Sequence, residues 1–319
     1  MQWTLNELYH QVYYMYMKTK FEHKDLVWFD VETPTREEVQ ELASAYNIDR
    51  FVSEELMVPS TKPRTELHGD HLYLVLHFPA LRHSHKEKEQ EVDFVIGKNF
   101  LITTRYDTID SLHKFSKIFE VNSILDKQPV GDHAGFLFFY MMKEIYKAME
   151  DEIEAIRIGL HTIEEKIFAG QEVGMVEEIS RAARDLLNIR QVIEPHRDVL
   201  RELEVAGATV FGESFTPYLK SLSNEYYRVH NHVMRNTESL HELRETNNSL
   251  LTTKQNETMR VLTIMAFLTF PLALLVAIFN LHFTSNPIDT MQNGFWFVVA
   301  TVLGSGSIML WYFKHKGWL

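Results

Sequence analysis

Imidazoles and carboxylates are the groups in this sequence that could bind a metal ion or move a proton, since the chain has no cysteine. One imidazole, His282, lies in a short polar loop between two long apolar runs. His83 and His85 form an H-S-H pair in a polar turn with no third ligand nearby, which favours surface positions over a metal site. The segment H-E-L-R-E at 241–245 lacks the second histidine of a metalloprotease motif. No nucleophile–base pair or cofactor motif is legible, so we expect neither an enzyme nor a resident cofactor.

The charge of the chain is distributed unevenly. The formal net charge is −12, and charged residues nearly vanish from Val261 to Lys314, so the acidic charge belongs to the first 260 residues. An acidic body argues against nucleic acid as a partner and is compatible with attracting cations.

Two apolar runs are long enough to cross a lipid bilayer. The run 261–279 contains no charged residue, and the run 294–313 meets the same test. About 20 helical residues cross the hydrocarbon core, and a proline such as Pro271 is tolerated inside a membrane helix when neighbours satisfy the freed carbonyl. We predict two transmembrane helices. Since two spans cannot enclose a pore, any channel must be an oligomer.

Basic residues predict the orientation of these spans. Lys254 and Arg260 precede the first run, Lys314 and Lys316 follow the second, and the loop 280–293 has neither lysine nor arginine. By the positive-inside rule both termini are cytoplasmic, and the loop lies outside a plasma or inner membrane. The N-terminus lacks the basic start and apolar core of a secretory signal, so we expect none to be cleaved.

The part of the chain before the first apolar run is predicted to have an α/β domain at 1–130 and an acidic helical segment at 131–217. The helical pattern indicates one helix from Ala134 to about Gly170 and a second from Ser180 to about Val205. From Tyr218 no glycine or proline occurs until Pro271, so a stalk helix at 218–260 can continue into the first span. Thr33 is the expected cap of a helix with Pro34 at its first position. Strands are expected at 26–31, 71–78, 92–96 and 99–104, with a hairpin turn at Gly97 and Lys98.

Short motifs recur along almost the whole chain. The junction N-E-T-M-R-V-L-T at 256–263 and the basic, Trp-Leu-ended tail Y-F-K-H-K-G-W-L at 312–319 are together the specific ones, and F-P-L at 270–272 lies within the first apolar run. Weaker motifs are F-V-I-G-K-N-F-L-I-T (94–103), P-H-R-D-V-L (195–200) and P-Y-L-K (217–220). With the predicted architecture, these motifs resemble the CorA family of divalent-cation channels. The resemblance implies a homopentamer with a cytoplasmic funnel, in which the first spans line the pore and the second spans lie outside them. The tail 314–319 would then be cytoplasmic.

Helical spacing, combined with this resemblance, assigns a pore-lining stripe. The side chains expected to face the axis are Asn256, Met259, Leu262, Ala266, Phe270, Ala273 and Ala277. Of these, Met259 and Leu262 would form an apolar constriction that can gate by dewetting. The alternative for the same stripe is packing between helices. Ala273 and Ala277 offer no hydroxyl to a hydrated ion, so the lining is drier than is usual in the family.

The outer mouth departs from the family's Gly-Met-Asn signature, since Asn280, Leu281 and His282 occupy the matching positions. Asn280 can preserve the left-handed backbone of the glycine, and Leu281 preserves the bulk of the methionine. A ring of His282 imidazoles can ligate Zn²⁺, Ni²⁺ or Co²⁺ and titrates near pH 6.5, which predicts altered selectivity or pH gating. Two alternatives remain open: His282 faces solvent without a ligand role, or Asn280 forms the polar ring.

Other features concern regulation and the cytoplasmic exit. His85 and Ser221 occupy the positions of the family's acidic ion-sensing pair, so we do not expect feedback by Mg²⁺ at that site. Lys314 and Lys316 would ring the cytoplasmic exit, although membrane anchoring alone explains them. The acids of 149–156 and 162–166 form a solvated helix face or make the funnel wall negative.

These features predict a CorA-like pentameric channel in the lipid bilayer that conducts divalent cations inward along the electrochemical gradient. Resemblance favours Mg²⁺, and His282 favours a transition metal such as Zn²⁺, Co²⁺ or Ni²⁺. The rival hypothesis is a non-conducting scaffold or sensor with the same fold. A membrane-anchored enzyme has little support.

Overall fold

The computed structural model describes residues 18–80, 89–106, 110–125, 131–279 and 293–317. The chain divides into two compact units. The first contains the residues up to Ala169 and Gly174–Leu243, and the second contains Gly170–Val173 and Arg244–Leu319. The finer seven-segment division made from the sequence stays a prediction. The elements within the described ranges are β1 (Lys18–His23), β2 (Leu26–Glu32), α1 (Arg36–Tyr46), α2 (Arg50–Glu55), β3 (Arg64–His68), β4 (His71–Pro79), β5 (Glu89–Ile96), β6 (Phe100–Arg105), α3 (Asp110–Leu125), α4 (Ala134–Phe168), α5 (Glu172–Ile193), α6 (His196–Phe211), a 3₁₀ turn (Glu213–Phe215), α7 (Thr216–Phe279) and α8 (Gly294–His315).

The strands form one mixed sheet in the order β1-β2-β6-β5-β4-β3. Strands β2 and β6 pair in parallel, and the other neighbours pair antiparallel. The four predicted strands and the hairpin at Gly97 are confirmed, since the Gly97 N–H donates to the Phe100 carbonyl at 2.9 Å. The two edge strands β1 and β3 were not predicted, because their polar residues weaken the apolar alternation by which strands are recognised.

Both faces of the sheet are covered, which explains why β4 is buried at all nine positions. Residues of α1 and α2 close one face in a core that includes Val39, Leu42 and Val52. On the other face α4 packs against β5, where the rings of Phe138 and Phe94 lie 5.2 Å apart. The predicted α/β class is confirmed.

The predicted start of α1 is two residues too early. Thr35, not Thr33, caps the helix: its hydroxyl accepts from the Glu38 N–H at 3.3 Å, and its own N–H donates to the Glu38 carboxylate at 3.0 Å. This reciprocal box needs an acid or amide three residues after the cap, and only Thr35 has one. Thr33 instead adopts a positive φ of 52° and donates its N–H to the Arg105 carbonyl at 2.7 Å.

The helical region also corrects one prediction and confirms two. Helix α4 covers the predicted Ala134 segment. The single helix expected over 180–205 is wrong, because the chain breaks between α5 and α6 at Pro195, whose ring cannot continue a helix. Helix α6 then runs on to Phe211 and ends at Gly212, which has a φ of 88°. The long helix through Pro271 is confirmed, since α7 has 64 residues.

Candidate ion pathway and adjoining sites

Helix α8 and the C-terminal part of α7 are long and apolar enough to cross a membrane. Large apolar side chains are exposed on several sides of both helices, among them Phe267 and Phe270 on α7 and Trp296 and Trp311 on α8. A water-exposed helix would confine its apolar residues to one stripe. Apolar exposure all round fits helices whose surroundings are lipid or other membrane helices.

One face of the α7 span is partly covered. Ile264 is 6% exposed, and Leu268, Pro271, Leu272, Leu275 and Phe279 are half-buried. A Cβ added at Gly306 of α8 would lie 3.5 Å from Leu272 Cδ1, so α8 approaches α7 closely on this side. Small residues of this kind allow membrane helices to approach one another.

The predicted pore-lining stripe lies on the opposite face of α7. At 3.6 residues per turn, the centre of the stripe 259–277 is about 180° from the centre of the covered face. Met259 and Leu262 are each 56% exposed and Phe270 is 74% exposed. Asn256, Ala273 and Ala277 are also exposed, while Ala266 is half-buried. In this chain, the stripe is therefore free to line a pathway or to contact another copy.

The two ends of the predicted pathway differ in what the structure describes. Asn280, Leu281 and His282, which form the predicted mouth, lie outside the described residues. At the other end, Lys314 lies in the last turn of α8 and Lys316 is its C-terminal cap. Both lysines are exposed, as a solvent-facing basic ring or a membrane anchor requires.

The turn between α4 and α5 contacts α7 shortly before the apolar run begins. Lys254 Nζ lies 3.1 Å from the Gly170 carbonyl oxygen and 2.5 Å from Glu172 Oε2. The side chain of Glu172 is 5% exposed, whereas that of Lys254 is 51% exposed. The hydrogen bond from Lys254 is the main cause that lowers the pKa of Glu172 below its usual value.

The other predicted sites carry no metal-binding geometry in the described part of the chain, where no three His, Asp or Glu side chains are grouped as ligands. Ser221 is half-buried on α7, and its proposed partner His85, like His83, lies outside the described residues. Of the acids on α4, Glu154 pairs with Arg157 at 2.7 Å and Glu164 lies 3.3 Å from His161. Residues 241–245 are part of α7.

A buried histidine inside the P-H-R-D-V-L motif was not predicted as a functional or structural centre. His196 has no exposed surface; its Nε2 lies 2.7 Å from the His77 carbonyl oxygen and its Nδ1 2.9 Å from the Tyr146 hydroxyl. Because the carbonyl only accepts, Nε2 carries the hydrogen and Nδ1 accepts from Tyr146. Burial lowers the pKa of His196 to about 4, so the ring is neutral at physiological pH.

A pair of buried carboxylates on β5 was also missed. Glu91 accepts from the Ser60 N–H at 2.8 Å and lies 3.2 Å from His77 Nε2. Asp93, with no exposed surface, accepts from the Thr104 hydroxyl at 3.3 Å. Burial, and then the charge of Glu91, raise the pKa of Asp93 well above its usual value. Alternation with Val92 and Phe94 assigns both acids to one face of the strand, but it cannot show that this face is covered.

We expect Asp93→Asn to raise the thermal unfolding midpoint of the purified protein, and Asp30→Asn to lower it. A carboxyl whose pKa is raised by folding destabilises the fold above its unfolded pKa, so the gain from Asp93→Asn should be larger at pH 8 than at pH 5. Asp30 is the matched control, since its carboxylate pairs with Arg105 Nη2 at 3.1 Å and its loss should cost about 3 kcal/mol. Destabilisation by Asp93→Asn at both pH values would show that Asp93 is needed as a carboxylate.

The chain matches known proteins over nearly its whole length. The family described as "CorA-like Mg2+ transporter protein" matches residues 23–315. The "Cobalt/magnesium transport protein CorA" of Thermotoga maritima is 23% identical over 286 residues, which cover 88% of this chain and 80% of that protein. The protein of the same name from Methanocaldococcus jannaschii is 22% identical and covers 94% of this chain and 93% of its own.

Solved structures agree with the fold. The complete structure of the CorA magnesium transporter from Methanocaldococcus jannaschii has a TM-score of 0.80 at 20% identity, with 94% of each chain covered. The structure of the full-length CmaX protein has a TM-score of 0.71 at 19% identity, covering 91% of this chain and 88% of that one. The family match includes both apolar helices and the sheet that precedes them, and this membrane protein therefore belongs to the CorA-like Mg²⁺ transporter family.

Proposed function

We propose that this protein is a channel that carries divalent cations across a membrane. The observation that carries the proposal is the family match over 23–315, which includes the apolar helices as well as the soluble domain. The relatives named above are described as cobalt/magnesium transport proteins. The cation is the cargo of the protein, and no enzymatic activity is part of the proposal.

A homopentamer supplies the walls of the channel. Two spans per chain cannot surround a pore, and the α7 face away from α8 has apolar side chains that are exposed in the single chain. Five such faces turned toward a common axis bury this surface and make a continuous lining. Asn256 stands at the cytoplasmic end of that lining, Met259 and Leu262 form an apolar constriction, and Ala266, Phe270, Ala273 and Ala277 continue it outward.

The ends of the pathway select and release the ion. Asn280, Leu281 and His282 form the outer mouth, and Lys314 and Lys316 surround the cytoplasmic exit. The protein lies in the plasma or inner membrane with both termini in the cytoplasm, as the lysines near the span ends favour. The membrane potential contributes about 2.3 kcal/mol per charge per 100 mV, hence roughly 4.6 kcal/mol for a divalent ion, so no ATP is needed.

Mg²⁺ is the proposed ion, and Co²⁺ is the second that the names of the relatives suggest. A specific observation favours a transition metal as the alternative: the sequence places an imidazole, His282, where the family has an asparagine. Mg²⁺ dehydrates reluctantly and suits carbonyl groups that hold its waters, whereas imidazole binds Zn²⁺, Co²⁺ and Ni²⁺ directly.

The test is reconstitution of the purified protein in liposomes, with Mg²⁺, Co²⁺ and Zn²⁺ entry followed under an inside-negative potential. We expect saturable Mg²⁺ entry that falls when the potential is removed. The His282→Asn variant is expected to shift preference toward Mg²⁺ by severalfold, because an amide replaces a metal-binding ring. If the oligomeric protein passes none of the three ions, the channel proposal is wrong and the scaffold hypothesis takes its place.

A further inference from the structure

Helix α7 carries a stripe of buried side chains that becomes polar toward the membrane. The spacing alternates between three and four residues, as in helices that pack along a shared seam. Up to Leu240 the stripe is apolar except for Asn236, whose amide donates to the Ile153 carbonyl at 3.2 Å. Asn247 follows, 1% exposed, and the same spacing then leads to Lys254. The buried members are Leu219, Leu222, Tyr226, Val229, Val233, Asn236, Leu240 and Asn247; Leu243 and Leu250 in the same stripe are half-buried, and Lys254 at its end is exposed.

Lys254 ends this stripe in a contact with the hairpin turn, defined here as Gly170–Val173. Its ammonium donates to two acceptors of the turn, the Gly170 carbonyl at 3.1 Å and the Glu172 carboxylate at 2.5 Å. Gly170 has a φ of 89°, a conformation that favours glycine, and this backbone directs its carbonyl to the ammonium. Glu172 is the first residue of α5, where the helix dipole favours a carboxylate.

The hairpin turn belongs to the same compact unit as the membrane part of the chain. Gly170–Val173 groups with Arg244–Leu319, although α4 and α5, which the turn joins, group with the other unit. All side chains from 252 to 260 are exposed in this chain. Among these described residues, Lys254 alone has a polar bond to another element. Within the single chain, Lys254 is therefore the side chain of 252–260 that ties this segment to another element by polar contacts.

The distance along the helix makes this contact relevant to the pathway. Lys254 precedes Met259 by five residues, or about 7.5 Å of helix rise. A helix transmits a displacement over that length with little bending, because its backbone hydrogen bonds are all internal. A restraint on Lys254 is thus a restraint on the position of Met259.

We propose that Lys254 is a positioning residue: its ammonium ties α7 to the hairpin turn and holds the Met259 and Leu262 constriction in its closed arrangement. This inference rests on the proposed function, since it assigns a role to a residue beside the proposed pathway. Release of the contact frees the 252–260 segment and raises the open fraction.

The low exposure of the Glu172 side chain and the Gly170 carbonyl as a second acceptor distinguish this contact from a simple surface ion pair. Exposed ion pairs contribute little, because water solvates both partners when they separate. The Glu172 side chain is 5% exposed, so a variant that lacks the ammonium leaves a carboxylate that must find water or move. Lys254→Gln therefore displaces the turn, while Lys254→Arg retains a cation that can donate to both acceptors.

The first arm of the test measures the contact without ion flux. Hydrogen exchange of the full-length protein in lipid nanodiscs is compared between wild type, Lys254→Gln, Lys254→Arg and a control. The control is Lys166→Gln, which breaks the Lys166–Glu178 pair at 3.1 Å in the same α4–α5 hairpin. We expect faster exchange over 169–174 in Lys254→Gln alone. Unchanged exchange in Lys254→Gln would overturn the inference.

The second arm measures Mg²⁺ entry into liposomes. Lys254→Gln makes the site more negative and Glu172→Gln makes it less negative, so a local charge effect on the ion would move flux in opposite directions. We expect both variants to raise flux about threefold or more, Lys166→Gln to leave it unchanged, and the double exchange Lys254→Glu with Glu172→Lys to restore it.

The outcomes separate this inference from the proposed function. The positioning role would be overturned if Lys254→Gln and Glu172→Gln changed flux in opposite directions, or if neither raised flux above that of wild type. Flux through wild type would still support a channel in either case. Absence of flux in wild type would overturn the proposed channel and with it the role at the constriction, whereas the exchange result would still decide whether Lys254 holds the turn.

Discussion

Substitution of both Met259 and Leu262 by serine is expected to raise Mg²⁺ flux into liposomes by about tenfold or more. Both side chains are 56% exposed in the single chain and lie three residues apart on the α7 face away from α8. In the proposed pentamer, ten such side chains form two stacked apolar rings. A narrow apolar passage excludes water and therefore a hydrated ion, whereas hydroxyl groups of similar or smaller size would keep the passage wet.

The size of the effect follows from the barrier that the rings impose. A tenfold change in flux needs only about 1.4 kcal/mol, because RT is about 0.59 kcal/mol at 25 °C. Wetting both rings should lower the barrier to ion passage by more than that amount, because an ion inside a dry apolar ring loses its hydration. Each single substitution is expected to have a smaller effect than the double one.

Val261→Ser is the matched control for this experiment. Val261 is 51% exposed on the same helix, but at 3.6 residues per turn it lies about 160° from Met259 and about 100° from Leu262 around the helix axis. We expect its substitution to leave flux within about twofold of wild type. Equal stimulation by the control, or no stimulation by the double variant, would show that Met259 and Leu262 do not form the constriction.

Much of the fold could be predicted because it rests on strong local signals. The apolar runs at 261–279 and 294–313 are continuous, so their prediction does not depend on a helix boundary. The central strands are buried on both faces and contain β-branched and aromatic residues. The two edge strands have mostly exposed or half-buried polar residues, and they become strands by pairing in tight hairpins with the predicted strands β2 and β4.

The helix boundaries show which sequence signals were misjudged. The capping box of Thr35 and Glu38 can be recognised in the sequence. Thr33 was predicted as the cap instead, because Pro34 was taken as the first residue of the helix. The break at Pro195 was legible too, since a proline inside a helical pattern ends or kinks the helix. The hydrogen bonds of the buried His196 could not be predicted from the sequence, because its partners are 50 and 119 positions away along the chain.

The candidate pathway could be predicted only in part from helical geometry. The 3.6-residue period assigns Met259, Leu262 and Phe270 to one face, and the structure places α8 on the other. The period cannot reveal the Lys254 contact, because Glu172 is 82 positions away and the turn must first fold. The identity of the mouth, including His282, lies outside the described residues and stays a prediction.

His196→Ala is expected to destabilise the folded protein by about 3 to 5 kcal/mol. The substitution leaves a cavity and removes the partners of two buried groups, the Tyr146 hydroxyl and the His77 carbonyl, which lie 2.9 and 2.7 Å from the ring. Tyr146→Phe should cost less, about 1 kcal/mol, since it deletes one donor and keeps the ring. His161, which is exposed on α4, is the control histidine, and its substitution by alanine should cost under about 0.5 kcal/mol.

The stability of wild type should also carry a pH dependence from His196. The unfolded imidazole binds a proton below its ordinary pKa of 6.5, whereas burial keeps the folded imidazole neutral until about pH 4. The unfolded state therefore binds more protons between these values, and stability falls as the pH falls through this window, by about 3 kcal/mol in all. Unfolding free energies in mild detergent, measured at pH 7.5 and pH 4.5, should show a smaller decrease in His196→Ala than in wild type. An equal decrease in both proteins would mean that the ring at 196 is already charged in the folded state or that other groups set the acid sensitivity.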